Sequence, residues 1–291
     1  MPITNFKVKS FDGLELNCRK WSPETTPRAR VLFIHGYSEF LDAYEDWFPL
    51  VADAGIEVIM YDQRGHGATA RTQKDYGVSN ERCIAADLEC MVDSVTKDYT
   101  GKLILWGFSM GGAICLNYMI LGKQKSRFDM YISVGPYIET SKSTNRGLNA
   151  IKLAIAPYVA KIWPTYVDYA TLNPQMTNNN PDKWDEYHKQ PQRHLRSTAE
   201  FMNDAVNRGK RLLDPNFVKN IVDKPLLLSH GTGDLVCEFS AAEKFFEIAK
   251  LSDKTLDVYE GLPHELMQCV EKDRLEHWKR IEDWIDTHLA N

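Results

Sequence analysis

Lys102-Leu103-Ile104-Leu105-Trp106-Gly107-Phe108-Ser109-Met110-Gly111-Gly112-Ala113-Ile114-Cys115-Leu116-Asn117-Tyr118 decides how the rest of the chain is read. A short apolar run fits a buried strand, and the run after Gly112 fits a buried helix. Gly107 and Gly111 flank a serine at the apex of the turn between them. Such a turn pushes the serine into a strained backbone conformation that exposes its hydroxyl, and the glycines let strand and helix pass closely. Gly-x-Ser-x-Gly arises by chance in roughly one chain in ten of this length, so its surroundings must decide.

On either side of this stretch, short β-branched and apolar runs alternate with helix-length segments. Strands are expected over 6–9, 14–21, 31–35, 56–61, 103–106 and 130–134, with helices over 43–54, 81–99 and 111–121. That alternation predicts an α/β fold with a mostly parallel central sheet flanked by helices. Asp12-Gly13 marks an opening hairpin. The rhythm stops at Gly135-Pro136 and resumes at Lys224-Pro225 with a strand through Gly231, a helix over 241–250, a strand over 255–259 and a closing helix over 271–288. The organisation read from this is a core in two parts, 1–136 and 224–291, with a strand-free helical cap or lid inserted over 137–223.

The composition is 43% hydrophobic and 26% charged with a net charge of −5, which fits a folded chain and argues against a nucleic-acid partner. Six cysteines without C-x-x-C or Cys/His spacing predict neither a metal site nor a disulfide framework, and point to a reducing compartment. The start lacks the apolar core of a signal peptide. The uncharged stretch 103–122 holds four glycines and splits into strand and helix, so no membrane span is expected. A cytoplasmic protein with no cofactor and no obligate protein partner is the expectation.

A serine hydroxyl needs a base to take its proton and a carboxylate to orient that base. In a parallel sheet these groups gather past the carboxyl ends of strands. Asp234 follows the strand ending at Gly231, and His264 follows the strand ending at Tyr259. Of the other histidines, His35 and His66 follow earlier strands, His188 and His194 fall in the insertion, and His277 and His288 fall in the last helix. His230 ends a strand one turn short of Asp234. Ser109, Asp234 and His264 are therefore the catalytic candidates. The amides of Met110, next to the nucleophile, and Tyr37, in the loop after Gly36, are the expected oxyanion donors. Gly65-His66-Gly67-Ala68-Thr69-Ala70 mimics a dinucleotide loop, but the polar residues after it do not read as the helix such a loop needs.

Together these residues resemble the α/β-hydrolase superfamily, and within it the monoacylglycerol lipase group. His35-Gly36-Tyr37-Ser38-Glu39 is similar to that group's H-G-x-G-E loop, Asp62-Gln63-Arg64-Gly65-His66-Gly67 to its D-x-x-G-H-G turn, and Gly107 to Gly112 to its G-H-S-M-G-G elbow. The resemblance implies an α/β-hydrolase fold and hydrolysis of fatty acyl esters, foremost monoacylglycerol, through an acyl-enzyme on Ser109. The alternatives are an esterase or acyltransferase on other lipid or short-chain esters, and a non-catalytic ligand-binding relative. Phe108 stands where the group has histidine, which bears on packing beneath the cap; Ser38 stands where it has glycine and is expected to narrow the glycerol end of the site. Cys237 matches a cysteine near the site in some relatives and reads equally as a small buried hydrophobe.

A lipid ester substrate calls for an apolar tunnel, since each buried methylene contributes roughly 0.8 kcal/mol. The apolar segment with Leu148, Ile155, Tyr158, Val159 and Ile162 is the expected wall, with those last four as substrate-binding candidates. Lys152 and Lys161 fall on opposite faces of that helix, and Pro157 is expected to kink it. Peripheral contact with a membrane or lipid droplet is accordingly expected to be hydrophobic rather than electrostatic.

Overall fold

The computed structural model describes residues 1–170, 172–190 and 192–290, except for the side chains of Leu148, Asn149 and 185–188. Leu148 and His188 therefore fall outside the described side chains.

The opening hairpin pairs β1 (Ile3–Lys9) with β2 (Glu15–Trp21). Strands β3 (Ala29–Ile34), β4 (Ile56–Tyr61), β5 (Lys102–Phe108) and β6 (Met130–Val134) follow. After two short strands outside the main sheet, β7 (Val167–Tyr169) and β8 (Arg196–Thr198), come β9 (Leu226–Gly231) and β10 (Lys254–Tyr259). The main sheet has eight strands in the order β1-β2-β4-β3-β5-β6-β9-β10. β2 pairs antiparallel with both neighbours, and every pairing from β4 to β10 is parallel. β4, β6 and β9 are buried at every residue, as strands covered on both faces must be.

Helices α1 (Phe48–Asp53) and α10 (Glu271–Leu289) cover one face, packing Phe48, Val51, Trp278 and Ile281 onto Phe33, Trp106 and Ile132. Helices α2 (Glu81–Thr96), α3 (Met110–Leu121) and α9 (Phe239–Ile248) cover the other, packing Leu88, Leu116 and Phe245 onto Leu105, Tyr131 and Leu228. The helix expected over 43–54 is instead a 3₁₀ turn, Leu41–Tyr44, followed by α1. Pro49 explains the break: it lacks an N–H and fits only the first turn of a helix, where α1 places it.

Between β6 and β9 the chain leaves the sheet through α4 (Leu148–Ile162), α5 (Pro174–Thr177), α6 (Pro181–Lys189), α7 (Ala199–Arg211) and α8 (Pro215–Val218). This stretch is not strand-free as expected: β7 and β8 pair antiparallel. α4 runs unbroken through Pro157. α7 ties the insertion to the core, where Arg208 Nε meets Glu81 of α2 at 2.8 Å and the Arg208 carbonyl accepts from Asn117 of α3 at 3.2 Å. Among the described residues no helix is long and apolar enough to cross a membrane.

In the sheet order, β3, β5, β9 and β10 all deliver a loop to the same carboxyl edge. His35-Gly36-Tyr37, Ser109, Asp234 and His264 lie on those four loops.

Candidate active site

Ser109 joins β5 to α3 with φ 54° and ψ −116°, a left-handed backbone that side chains other than glycine rarely adopt. The neighbours leave no room for anything but glycine. A Cβ on Gly107 would lie 2.1 Å from the Gly111 carbonyl oxygen, and one on Gly111 would lie 2.0 Å from that of Ile34. The turn is held by Ser109 N–H donating to Val134 at 2.9 Å and by Tyr137 N–H donating to the Ser109 carbonyl at 2.9 Å. Met110 is the first residue of α3, so its amide has no intrahelical acceptor.

His264 Nε2 lies 2.9 Å from Ser109 Oγ, and its Nδ1 lies 2.6 Å from Asp234 Oδ2. With Nδ1–H donated to the carboxylate, Nε2 is left to accept the serine proton. All three side chains are buried, with Ser109 8% exposed toward the cavity. Asp234 is heavily engaged: Oδ1 accepts from the amides of Val236 at 2.7 Å and Cys237 at 2.8 Å, while Oδ2 also meets His230 Nε2 at 3.0 Å. Burial pushes the Asp234 carboxyl up, but His264 and these donors outweigh it and hold it well below the usual carboxylate range. For His264, burial works downward and the facing Asp234 carboxylate prevails, raising the imidazole well above its ordinary value. An imidazolium formed at this position is stabilised as it forms.

The structure thus brings together the three residues singled out in the sequence, and adds His230, which the sequence offered only as a competitor. Its signal was the spacing His230-x-x-x-Asp234 on one turn. Cys237 is fully buried, and its thiol, raised by burial, faces His264 and Ser109. The ligand atoms of Asp234, Cys237 and His264 lie within 4.8 Å of one another. Both Asp234 oxygens are already engaged by hydrogen bonds, Oδ1 from the Val236 and Cys237 amides and Oδ2 from His230 and His264. Phe108 packs its ring 5.0 Å from that of His264 and lines the cavity, which answers the packing question raised by the missing histidine.

Gly36 and Tyr37 line the same cavity as Ser109 and Met110, and a Cβ on Gly36 would sit 3.1 Å from the Ser109 Cβ. Ser38 does not line the cavity, contrary to expectation: it is 2% exposed with φ 63°. The glycine it replaces relates to backbone angle, and the cost of serine there is strain rather than a narrowed site.

The cavity holds about 590 Å³. Its lining is mixed, with Phe108, Phe201, Met202, Leu172, Leu235 and Val236 apolar and Glu39, Arg193 and Glu265 charged. Ile155, Tyr158, Val159 and Ile162 do not line it; α4 contributes Lys152 and Leu153. Ile155, Tyr158 and Ile162 are instead 49%, 70% and 84% exposed, and Val159 is half-buried. Helical periodicity identifies an apolar face but not what it meets, and here that face meets solvent.

Comparison with known proteins agrees with this geometry. The model of the family described as serine aminopeptidase, S33, matches residues 25–273. The chain is 28% identical to a monoglyceride lipase of Saccharomyces cerevisiae, across 99% of this chain and 95% of that protein. It is 27% identical to a monoglyceride lipase of Homo sapiens, across 96% and 89% respectively. A crystal structure of a soluble variant of the S. cerevisiae monoglyceride lipase with a substrate analog superposes with a TM-score of 0.92 at 29% identity, covering 99% of this chain and 95% of that one. With an eight-stranded α/β-hydrolase sheet and a family match over most of its length, the chain belongs to the serine aminopeptidase S33 family.

Proposed function

We propose that this protein is a serine hydrolase that cleaves monoacylglycerol to glycerol and free fatty acid through an acyl-enzyme on Ser109. The observation that carries the reading is the unbroken hydrogen-bond chain Ser109–His264–Asp234 opening into a cavity of mixed apolar and charged lining. The yeast and human relatives named as monoglyceride lipases support the substrate class.

His264 Nε2 takes the Ser109 proton as Oγ attacks the ester carbonyl. The amides of Met110 and Tyr37 receive the oxyanion, and Asp234 stabilises the imidazolium. Collapse passes that proton to the departing glycerol oxygen and leaves the acyl group on Ser109. Water, deprotonated by His264, then releases the fatty acid and restores the serine. The apolar side chains of the cavity suit the acyl chain, at roughly 0.8 kcal/mol per methylene. The charged ones suit the glycerol hydroxyls.

Segment 137–223 acts as a cap over this cavity, and the exposed stripe of α4 rests on a lipid surface from which substrate enters. The test compares mono-, di- and triacylglycerol hydrolysis by the wild type and Ser109→Ala. Monoacylglycerol is expected to be the best substrate, with the variant slower by about 10⁴-fold or more. Equal rates on triacylglycerol, or variant turnover within about tenfold of the wild type, would overturn the reading.

A further inference from the structure

The loop that carries the Tyr37 amide is gripped from several sides by buried side chains. Gly36 N–H donates to Glu39 Oε2 at 2.6 Å, and the Gly36 carbonyl accepts from His35 Nδ1 at 2.7 Å. The tautomer follows from the other ring nitrogen, because His35 Nε2 accepts the Gln63 amide at 2.9 Å and the proton must therefore sit on Nδ1. Gln63 Nε2 also donates to the His35 carbonyl at 2.7 Å. Glu39 is itself anchored by the Tyr44 hydroxyl at 2.7 Å. His35, Glu39 and Tyr44 are 0%, 5% and 1% exposed.

The chain holds no cis peptide among the described residues, so the Tyr37 N–H points opposite to the Gly36 carbonyl. Whatever fixes that carbonyl fixes the direction of the amide. We infer that Glu39 is a positioning residue: it holds the His35–Gly36 peptide while the His35 ring holds the Gly36 carbonyl, and together they set the bend at Gly36 so that the Tyr37 N–H faces the oxyanion formed at Ser109. This rests on the serine-hydrolase reading above and deepens it.

Burying a carboxylate that touches no reacting atom is costly, which argues for a purpose beyond filling space. Burial pushes the Glu39 carboxyl up to about 7. Arg193 opposes that rise and Glu265 adds to it, while Tyr44 and the Gly36 amide favour the ionised form. Below that pH the carboxyl gains a proton, becomes a poorer acceptor, and the grip on Gly36 loosens.

The experiment measures phosphonylation of Ser109 by a fluorophosphonate and turnover of p-nitrophenyl butyrate between about pH 5.5 and 9, with melting curves. The variants are Glu39→Ala, Glu39→Gln and Tyr44→Phe. Glu39→Ala is expected to lose about 10- to 100-fold in kcat with KM nearly unchanged, short of the roughly 10²–10³ lost when an oxyanion donor is deleted outright. Glu39→Gln, whose amide oxygen still accepts from Gly36, restores most of that rate at alkaline pH and has an acid limb shallower by one proton. Tyr44→Phe falls between them. Wild-type kcat and wild-type steepness in the folded variants overturn the inference; should Glu39→Ala unfold, Glu39→Gln and Tyr44→Phe decide it alone. A wild type that the fluorophosphonate does not label sinks the hydrolase reading first, and this one with it.

Discussion

Two serines hold left-handed backbone angles in this site, Ser38 at φ 63° and Ser109 at φ 54°. For Ser109 the strain is inseparable from catalysis, because the same turn presents Oγ to His264. Ser38 has no comparable role, since its hydroxyl is buried without a partner among the described residues and it does not line the cavity. A left-handed side chain costs roughly 1–2 kcal/mol and a buried unpaired hydroxyl roughly 1–3, against about 0.5–1 for the extra freedom of an unfolded glycine. Ser38→Gly is therefore expected to stabilise the fold by about 1 kcal/mol or more, read in urea unfolding, with turnover close to wild type. A loss of stability would mean that the hydroxyl does something not visible in its contacts. At this scale the sequence was legible for Ser109, Asp234 and His264, since each follows a strand by a short covalent span. It was silent on the roles of Glu39 and His230, although both lie beside residues that the sequence singles out. Their importance comes from hydrogen bonds to groups whose direction only the folded loops define.

Among the elements, α4 departs most from its reading. Ile151, Ile155, Tyr158 and Ile162 lie at offsets of 0, 4, 7 and 11, one face of a helix, and all are exposed. Trp163 and Tyr169 are exposed as well, and Tyr169 also lines the cavity. Such a patch is uncommon on a freely dissolved chain. Lys152 is paired with Asp168 at 3.4 Å and Lys161 lies half a turn around the helix, so attraction to anionic lipid is a minor term. The double variant Ile155→Ser/Ile162→Ser is expected to cut co-sedimentation with phosphatidylcholine vesicles by about tenfold or more, while p-nitrophenyl butyrate turnover is kept. Undiminished sedimentation would remove the docking surface. The strands were easier to foresee than the helices. Apolar runs such as Ile56–Tyr61 have one destination, the middle of a sheet, whereas the broken helix at 41–53 turned on where one proline could sit.

For the whole molecule, buried titratable groups set the response to acid. His35, His66 and His277 are held neutral by burial, His66 down to about 4, His277 down to about 3 and His35 well below its ordinary value. Unfolded, each takes a proton near 6.5, so below that pH the unfolded chain binds three more. Glu39 and Asp62 act oppositely, raised by burial to about 7 and about 6, so the folded chain gains up to two protons first. The net of one proton makes stability fall by about 1.4 kcal/mol per unit as pH drops from about 6.5 toward 4.5. His277 stacks on Trp47 at 5.7 Å and meets Tyr259 edge-on at 5.0 Å, and neither ring nitrogen has a partner among the described residues. His277→Phe is expected to match or exceed the wild-type melting temperature at neutral pH and to flatten the acid slope; an unchanged slope would assign it elsewhere. The sequence by itself determined which residues could perform the chemistry and that a parallel sheet would present them, because strand, turn and side chain follow within a few residues of one another. Only the tertiary structure decided which face of α4 stays bare, that His230 shares Asp234, and that Glu39 and His35 grip the loop beside Ser109. Those outcomes depend on contacts between segments far apart in the chain, and local pattern carries no record of what a face will meet.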